Sequence, residues 1–169
     1  MKLKALVMVA ALSLGLSVFA YAADEEVAKA PEPIKYGQNI GDNLQPVVLS
    51  TVDGSKKVEL AKLTEKSVFV MVSSVCTACR KELQELSENL ERFKGKAEVY
   101  AVVIDMDSKT GAERIGNLPF TMLADPEQKI AQATNLGTNP STLIVKDGKI
   151  LYTKFGYKSN QWKEYLQER

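Results

Sequence analysis

The residues that promise chemistry are Cys76 and Cys79, the two cysteines of this chain, in the run Val75-Cys76-Thr77-Ala78-Cys79. On a helix, side chains three apart share one face, so the two sulfurs fall within reach of each other. A disulfide across so short a loop removes little entropy from the unfolded chain and is a poor staple. The same spacing suits a dithiol that opens and closes against a partner. A zinc-type site needs about four ligands. The sequence has no third cysteine and no histidine, so no metal site is expected. The expected redox centre is the Cys76–Cys79 disulfide itself, with no other cofactor. Without an imidazole, Ser-His-Asp and Cys-His catalysis are excluded as well.

Such a nucleophile has to be positioned. Residues 67–74 (Ser-Val-Phe-Val-Met-Val-Ser-Ser) form a continuous apolar, β-branched run, the signature of a strand buried on both faces. After the CxxC, residues 81–90 predict a helix with Leu83, Leu86 and Leu90 in one stripe. Gly95 is expected to close that unit. A cysteine that ends a strand and opens a helix meets unpaired N–H groups and the positive end of the dipole. Both favour the reactive thiolate, and Arg80 and Lys81 add positive charge. Cys76 is therefore expected to attack and Cys79 to resolve the mixed disulfide.

Residues 97–104 read as the next buried strand, which completes a βαβ unit with a parallel pair. Asp53-Gly54 and Asp147-Gly148 each lie between short apolar runs and predict hairpins, over 46–60 and 142–155. The remaining stretches predict a short helix around 109–115 and a strand over 120–123. A helix is expected over 126–134, with Asp125 as N-cap and Pro126 at its first position. A terminal helix over 159–168 would be capped by Ser159. The expected fold class is α/β, a central mixed sheet with helices on both faces.

The N-terminal residues read as a targeting signal. Lys2 and Lys4 precede an uncharged apolar run, 5–19, and Ala20-Tyr21-Ala22 is a small-x-small cleavage site. The expected organisation is a signal peptide over 1–22, a flexible arm over 23–39 containing Pro31 and Pro33, and one domain over 40–169. The alternative is an uncleaved anchor, although the run is shorter than the roughly 20 residues of a spanning helix. Export implies a periplasmic location, where a bare cysteine pair oxidises unless something reduces it. The formal charge of +1 gives no footprint for nucleic acid. A monomer is expected.

Over about residues 40–157 the chain resembles the thioredoxin superfamily, and within it the exported TlpA-like branch near the redoxins and peroxiredoxins. The resemblance rests on Val52-Asp53-Gly54 in a leading hairpin and on residues 68–74 running into Cys76-Thr77-Ala78-Cys79-Arg80-Lys81-Glu82. It rests also on Leu123-Ala124-Asp125-Pro126 and on residues 136–148, which contain Thr138-Asn139-Pro140-Ser141. It implies a thioredoxin-like fold with an N-terminal β-hairpin extension. It implies a cis bond before Pro140, lying against the CxxC, with the backbone of Asn139 exposed for a substrate strand. It implies a glutamate, Glu82, one turn beyond Cys79 and able to relay its proton. The implied activity is thiol–disulfide exchange with exported proteins, as a reductant of the cytochrome c maturation type, supplied with electrons by a membrane thiol reductant.

The chain also departs from the thioredoxin pattern. Val75 replaces the tryptophan before the first cysteine, Ala78 the proline before the second, and Val70 the aspartate of the preceding strand. Ser141 follows the proline where threonine is common. Two other functions compete. A peroxiredoxin-like thiol peroxidase wants Ser or Thr three residues before its cysteine, and Ser73 is there, but Phe69 occupies the place of an upstream proline. A copper-handling module on the same fold uses wider cysteine spacing and a histidine, and this chain has neither.

Overall fold

The computed structural model describes residues 36–137 and 139–167. The expected signal segment and most of the arm lie outside the described residues. Among them the chain runs β1 (Val48–Thr51), β2 (Lys57–Glu59), β3 (Ser67–Val72), α1 (Thr77–Glu88), β4 (Glu98–Val103), α2 (Ser108–Ile115), β5 (Thr121–Ala124), α3 (Lys129–Thr134), β6 (Ser141–Lys146), β7 (Lys149–Phe155) and α4 (Trp162–Tyr165). The strands form one mixed sheet in the order β2-β1-β5-β4-β3-β6-β7.

β3 is the centre of that sheet because its sequence gives it no polar face. All six of its residues are buried, and each large apolar side chain so buried contributes about 1.5–3 kcal/mol. It pairs in parallel with β4 (Val70 opposite Ala101) and antiparallel with β6 (Val70 opposite Thr142). Phe69 stacks on its parallel partner Tyr100, ring centroids 4.9 Å apart. Alternation along β3 divides the core. Phe69 and Met71 face one cluster with Ile130 and Ala133 of α3. Val68, Val70 and Val72 face the other, with Leu83 and Leu86 of α1 and Trp162 and Tyr165 of α4. Helices thus cover both faces, as the apolar run of β3 requires.

The hairpins follow their Asp-Gly signals. β1 and β2 pair around Gly54 (φ 73°), β6 and β7 around Asp147 and Gly148, both at positive φ. Residues 41–44 run back along the start of β7: Gly41 N–H donates to Ile150 O at 2.8 Å, and Leu44 N–H to Gly148 O at 2.9 Å.

Three helical expectations are corrected. The first helix begins at Thr77 rather than Lys81, so Cys76 itself is the N-cap. α3 begins at Lys129, not Pro126, because residues 125–128 make a turn that ends with Gln128 left-handed (φ 54°). Asp125 still serves the helix start, its carboxylate accepting from Lys129 N–H at 2.8 Å and Ile130 N–H at 3.1 Å. The last helix is α4 alone rather than a run from Ser159. The Ser159 hydroxyl is drawn instead to Glu85 of α1, at 2.9 Å.

Candidate active site

Cys76 stands where β3 has ended and α1 has not begun, in extended conformation (φ −86°, ψ 108°). It is disulfide-bonded to Cys79, Cα atoms 5.2 Å apart. Its sulfur accepts the Cys79 backbone N–H at 3.1 Å. That amide is one of the donors a helix N-terminus leaves unpaired, and here it is spent on the sulfur. Burial separates the two cysteines. Cys76 is partly exposed, whereas Cys79 is 1% exposed and packs with Leu83, Val70 and Val72. Cys76 is therefore the cysteine of the pair that is open to solvent.

The loop before Cys76 is pinned by residues that the sequence did not single out. Ser74, 1% exposed, donates its N–H to Asp105 at 2.9 Å and its hydroxyl to the same carboxylate at 2.7 Å. The Arg80 guanidinium reaches back to donate to Ser74 O at 3.0 Å. Arg80 thus anchors the loop as well as bringing positive charge to the site. A signal for Asp105 was present: it follows a strand parallel to β3, so it must emerge at the sheet edge where Ser74 emerges. The residues that follow Ser74 and Asp105 are both exposed apolar side chains, Val75 at 78% and Met106 at 88%.

Pro140 comes to that edge from the other side. The Asn139–Pro140 bond is cis. Ser141 opposes Met71, which brings the preceding proline alongside the end of β3. Pro140 is buried and Asn139 exposed.

Glu82 is a carboxylate of α1 that turns inward. It is buried, one turn beyond Cys79, and hangs from α1 over the row Val70, Thr142, Lys154 that crosses β3, β6 and β7. Its Oε1 accepts from Tyr165 OH at 2.5 Å and from Thr142 Oγ1 at 3.2 Å. Burial pushes its pKa above the usual carboxylate range. Those two hydrogen bonds and the charge of Lys154 pull the other way, and Glu85 adds to the rise. Thr142, Tyr165 and Lys154 come from three elements distant in sequence, so no local motif announced them.

A buried sheet of this order, with a CxxC at the junction of its central strand and a capping helix and a cis-proline at the adjacent edge, defines the thioredoxin-like fold. Solved structures agree. A protein described as thiol:disulfide interchange protein DsbE from Chlorobium tepidum superposes with a TM-score of 0.67 at 20% identity, covering 77% of this chain and 96% of its own. StoA from Bacillus subtilis gives 0.61 at 19%, covering 73% and 99%. The thioredoxin domain of a thiol-disulfide oxidoreductase from Bacteroides vulgatus gives 0.60 at 19%, covering 78% and 100%. More specifically, the family model of the AhpC/TSA family matches residues 40–153, and the chain belongs to that family. Among curated proteins, none matches the chain in sequence. No helix among the described residues is long and apolar enough to cross a membrane.

Proposed function

We propose that the protein is an extracytoplasmic thiol–disulfide oxidoreductase that exchanges its Cys76–Cys79 pair with exported proteins. The observation that carries this reading is the asymmetry of the pair: Cys76 partly exposed at a helix N-cap, Cys79 buried behind it. In the reducing direction the Cys76 thiolate attacks a partner disulfide, and one partner sulfur leaves as a thiolate. Cys79 then attacks Cys76, the second partner sulfur leaves, and the proton of Cys79 goes to Glu82. The dithiol loses two electrons and the partner disulfide gains them. Asn139 and Pro140 offer an edge for a partner strand, and Val75 and Met106 offer apolar contact beside it. Two of the similar structures carry thiol–disulfide interchange or oxidoreductase in their descriptions, which supports the same chemistry. The TlpA-like resemblance favours a reductant of the cytochrome c maturation type, re-reduced by a membrane thiol carrier and acting as a monomer in the periplasm.

Cys79→Ser should trap the partner on Cys76 as a mixed disulfide, and Cys76→Ser should abolish exchange. Full turnover by Cys79→Ser would sink the division of roles. The AhpC/TSA match and Ser73, three residues ahead of Cys76, favour a thiol peroxidase as the second reading. Rapid consumption of hydrogen peroxide by the reduced protein, through a Cys76 sulfenic acid, would establish that chemistry instead.

A further inference from the structure

Both amide atoms of Gln161, Glu82 Oε2 and Lys154 Nζ are buried without a hydrogen-bond partner among the described residues. The Glu82 oxygen is an acceptor without a donor, the Lys154 nitrogen a donor without an acceptor. Leaving either alone in the interior is costly. The sheet register brings them together. Lys154 is the cross-strand partner of Thr142, and directly opposed side chains share one face of a sheet. Thr142 Oγ1 donates to Glu82 Oε1. Lys154 therefore projects to the α1 and α4 side, where Glu82 hangs, and its half-buried stem carries the ammonium inward.

We propose that Lys154 is the counter-charge of Glu82 and a positioning residue for proton transfer from Cys79, a role that rests on the exchange reaction above. Burial favours the protonated carboxyl of Glu82. A positive charge nearby works against it and favours the carboxylate, the form that accepts a proton when Cys79 closes onto Cys76. The charges act in the right sense: Lys154 lowers the pKa of Glu82, and against the lowering of its own pKa by burial Lys154 is supported first by Glu164 and then by Glu82. The other charged and titratable groups around the pair come from α1, from β7, and from α4 and the segment before it. Glu85 of α1 raises Glu82. Glu164 of α4 stabilises the Lys154 charge and Lys158 opposes it. Glu164 also accepts from Tyr152 OH of β7 at 2.8 Å, and Tyr165 of α4 holds Glu82 Oε1. Lys154 is the cation among them with its buried nitrogen unpartnered.

The test uses the reduced full chain and an aromatic disulfide as probe, following release of the second aromatic thiolate, which reports attack by Cys79, from pH 4 to 10. The parent should show an inflection that Glu82→Gln removes. Lys154→Met should move that inflection up by about one pH unit, the shift expected on losing a nearby opposite charge. Adding Lys154→Met to Glu82→Gln should change nothing further. Lys154→Gln, which keeps the stem and a polar tip, is the second variant, and circular dichroism decides which variant is folded and read. A Lys154 profile that superimposes on the parent, or moves down, overturns the proposal. So does an equal shift in the Glu82→Gln background, because Lys154 would then act on the cysteine directly. If Glu82→Gln itself keeps the inflection, the relay through Glu82 fails, a result distinct from the failure of Lys154 alone.

Discussion

Asp105 holds the loop ahead of Cys76, and its removal gives a worked prediction. Asp105→Ala deletes the acceptor of two hydrogen bonds, from Ser74 N–H at 2.9 Å and from the Ser74 hydroxyl at 2.7 Å. Ser74 is buried, so both donors lose a partner where water has little access. Hydrogen bonds to a charged group contribute about 1.5–3 kcal/mol each. Asp105 is half-buried, which favours the lower part of that range, so the pair should cost roughly 3–4 kcal/mol. Asp105→Asn keeps one strong acceptor oxygen and should cost about half as much. Urea unfolding of the oxidised protein, read as a midpoint shift at constant slope, measures the loss. Exchange at Cys76 should slow in the same order, because Ser74 and Cys76 share a loop that Arg80 braces through Ser74 O. A midpoint for Asp105→Ala within about 0.5 kcal/mol of the parent, the scale of an ordinary surface substitution, would refute the reasoning.

Two further outcomes follow from the packing and the charge at the site. Gly111→Ala should destabilise by about 1–2 kcal/mol in thermal unfolding, despite alanine's better helix propensity. The new Cβ would lie 2.8 Å from Asp105 Cβ and 2.9 Å from Val103 Cγ1, and an unchanged or higher melting temperature would contradict it. Glu82→Gln should gain stability over the parent as pH rises. The folded pKa of Glu82 is raised above its ordinary 4.5, so the native state binds more protons than the unfolded one across that window. The stability this brings is full below about 4.5 and lost as pH rises through the folded value, whereas glutamine does not titrate. Urea midpoints from pH 4 to 8 should diverge in that sense; a constant offset would show that Glu82 does not titrate differently on folding.

Much of this molecule was legible before the structure. The apolar run 67–74 reads as a strand covered on both faces, which β3 is, and a helix is expected after the CxxC, although its start lies at Thr77 rather than Lys81. The Asp-Gly pairs marked both hairpins, because few other dipeptides accept positive φ so readily. The short helices were harder to read. α3 and α4 have ends fixed by partners from elsewhere, as when Glu85 takes the Ser159 hydroxyl and the Asn160 N–H. Capping signals report local preference, and tertiary contacts outweigh it.

By itself, then, the sequence determined the CxxC pair and the strand–helix junction that holds it, because those depend on neighbours within a few residues, and the thioredoxin resemblance added Glu82 and Pro140 as candidates. Only the tertiary structure decided which cysteine is buried and which groups hold the buried carboxylate. Thr142, Lys154 and Tyr165 reach Glu82 through the antiparallel register of β6 and β7 and the packing of α4. Asp105 reaches Ser74 through the parallel register of β3 and β4. Registers of that kind are fixed by the burial of whole faces, a cooperative property of the sheet that no single segment of chain encodes.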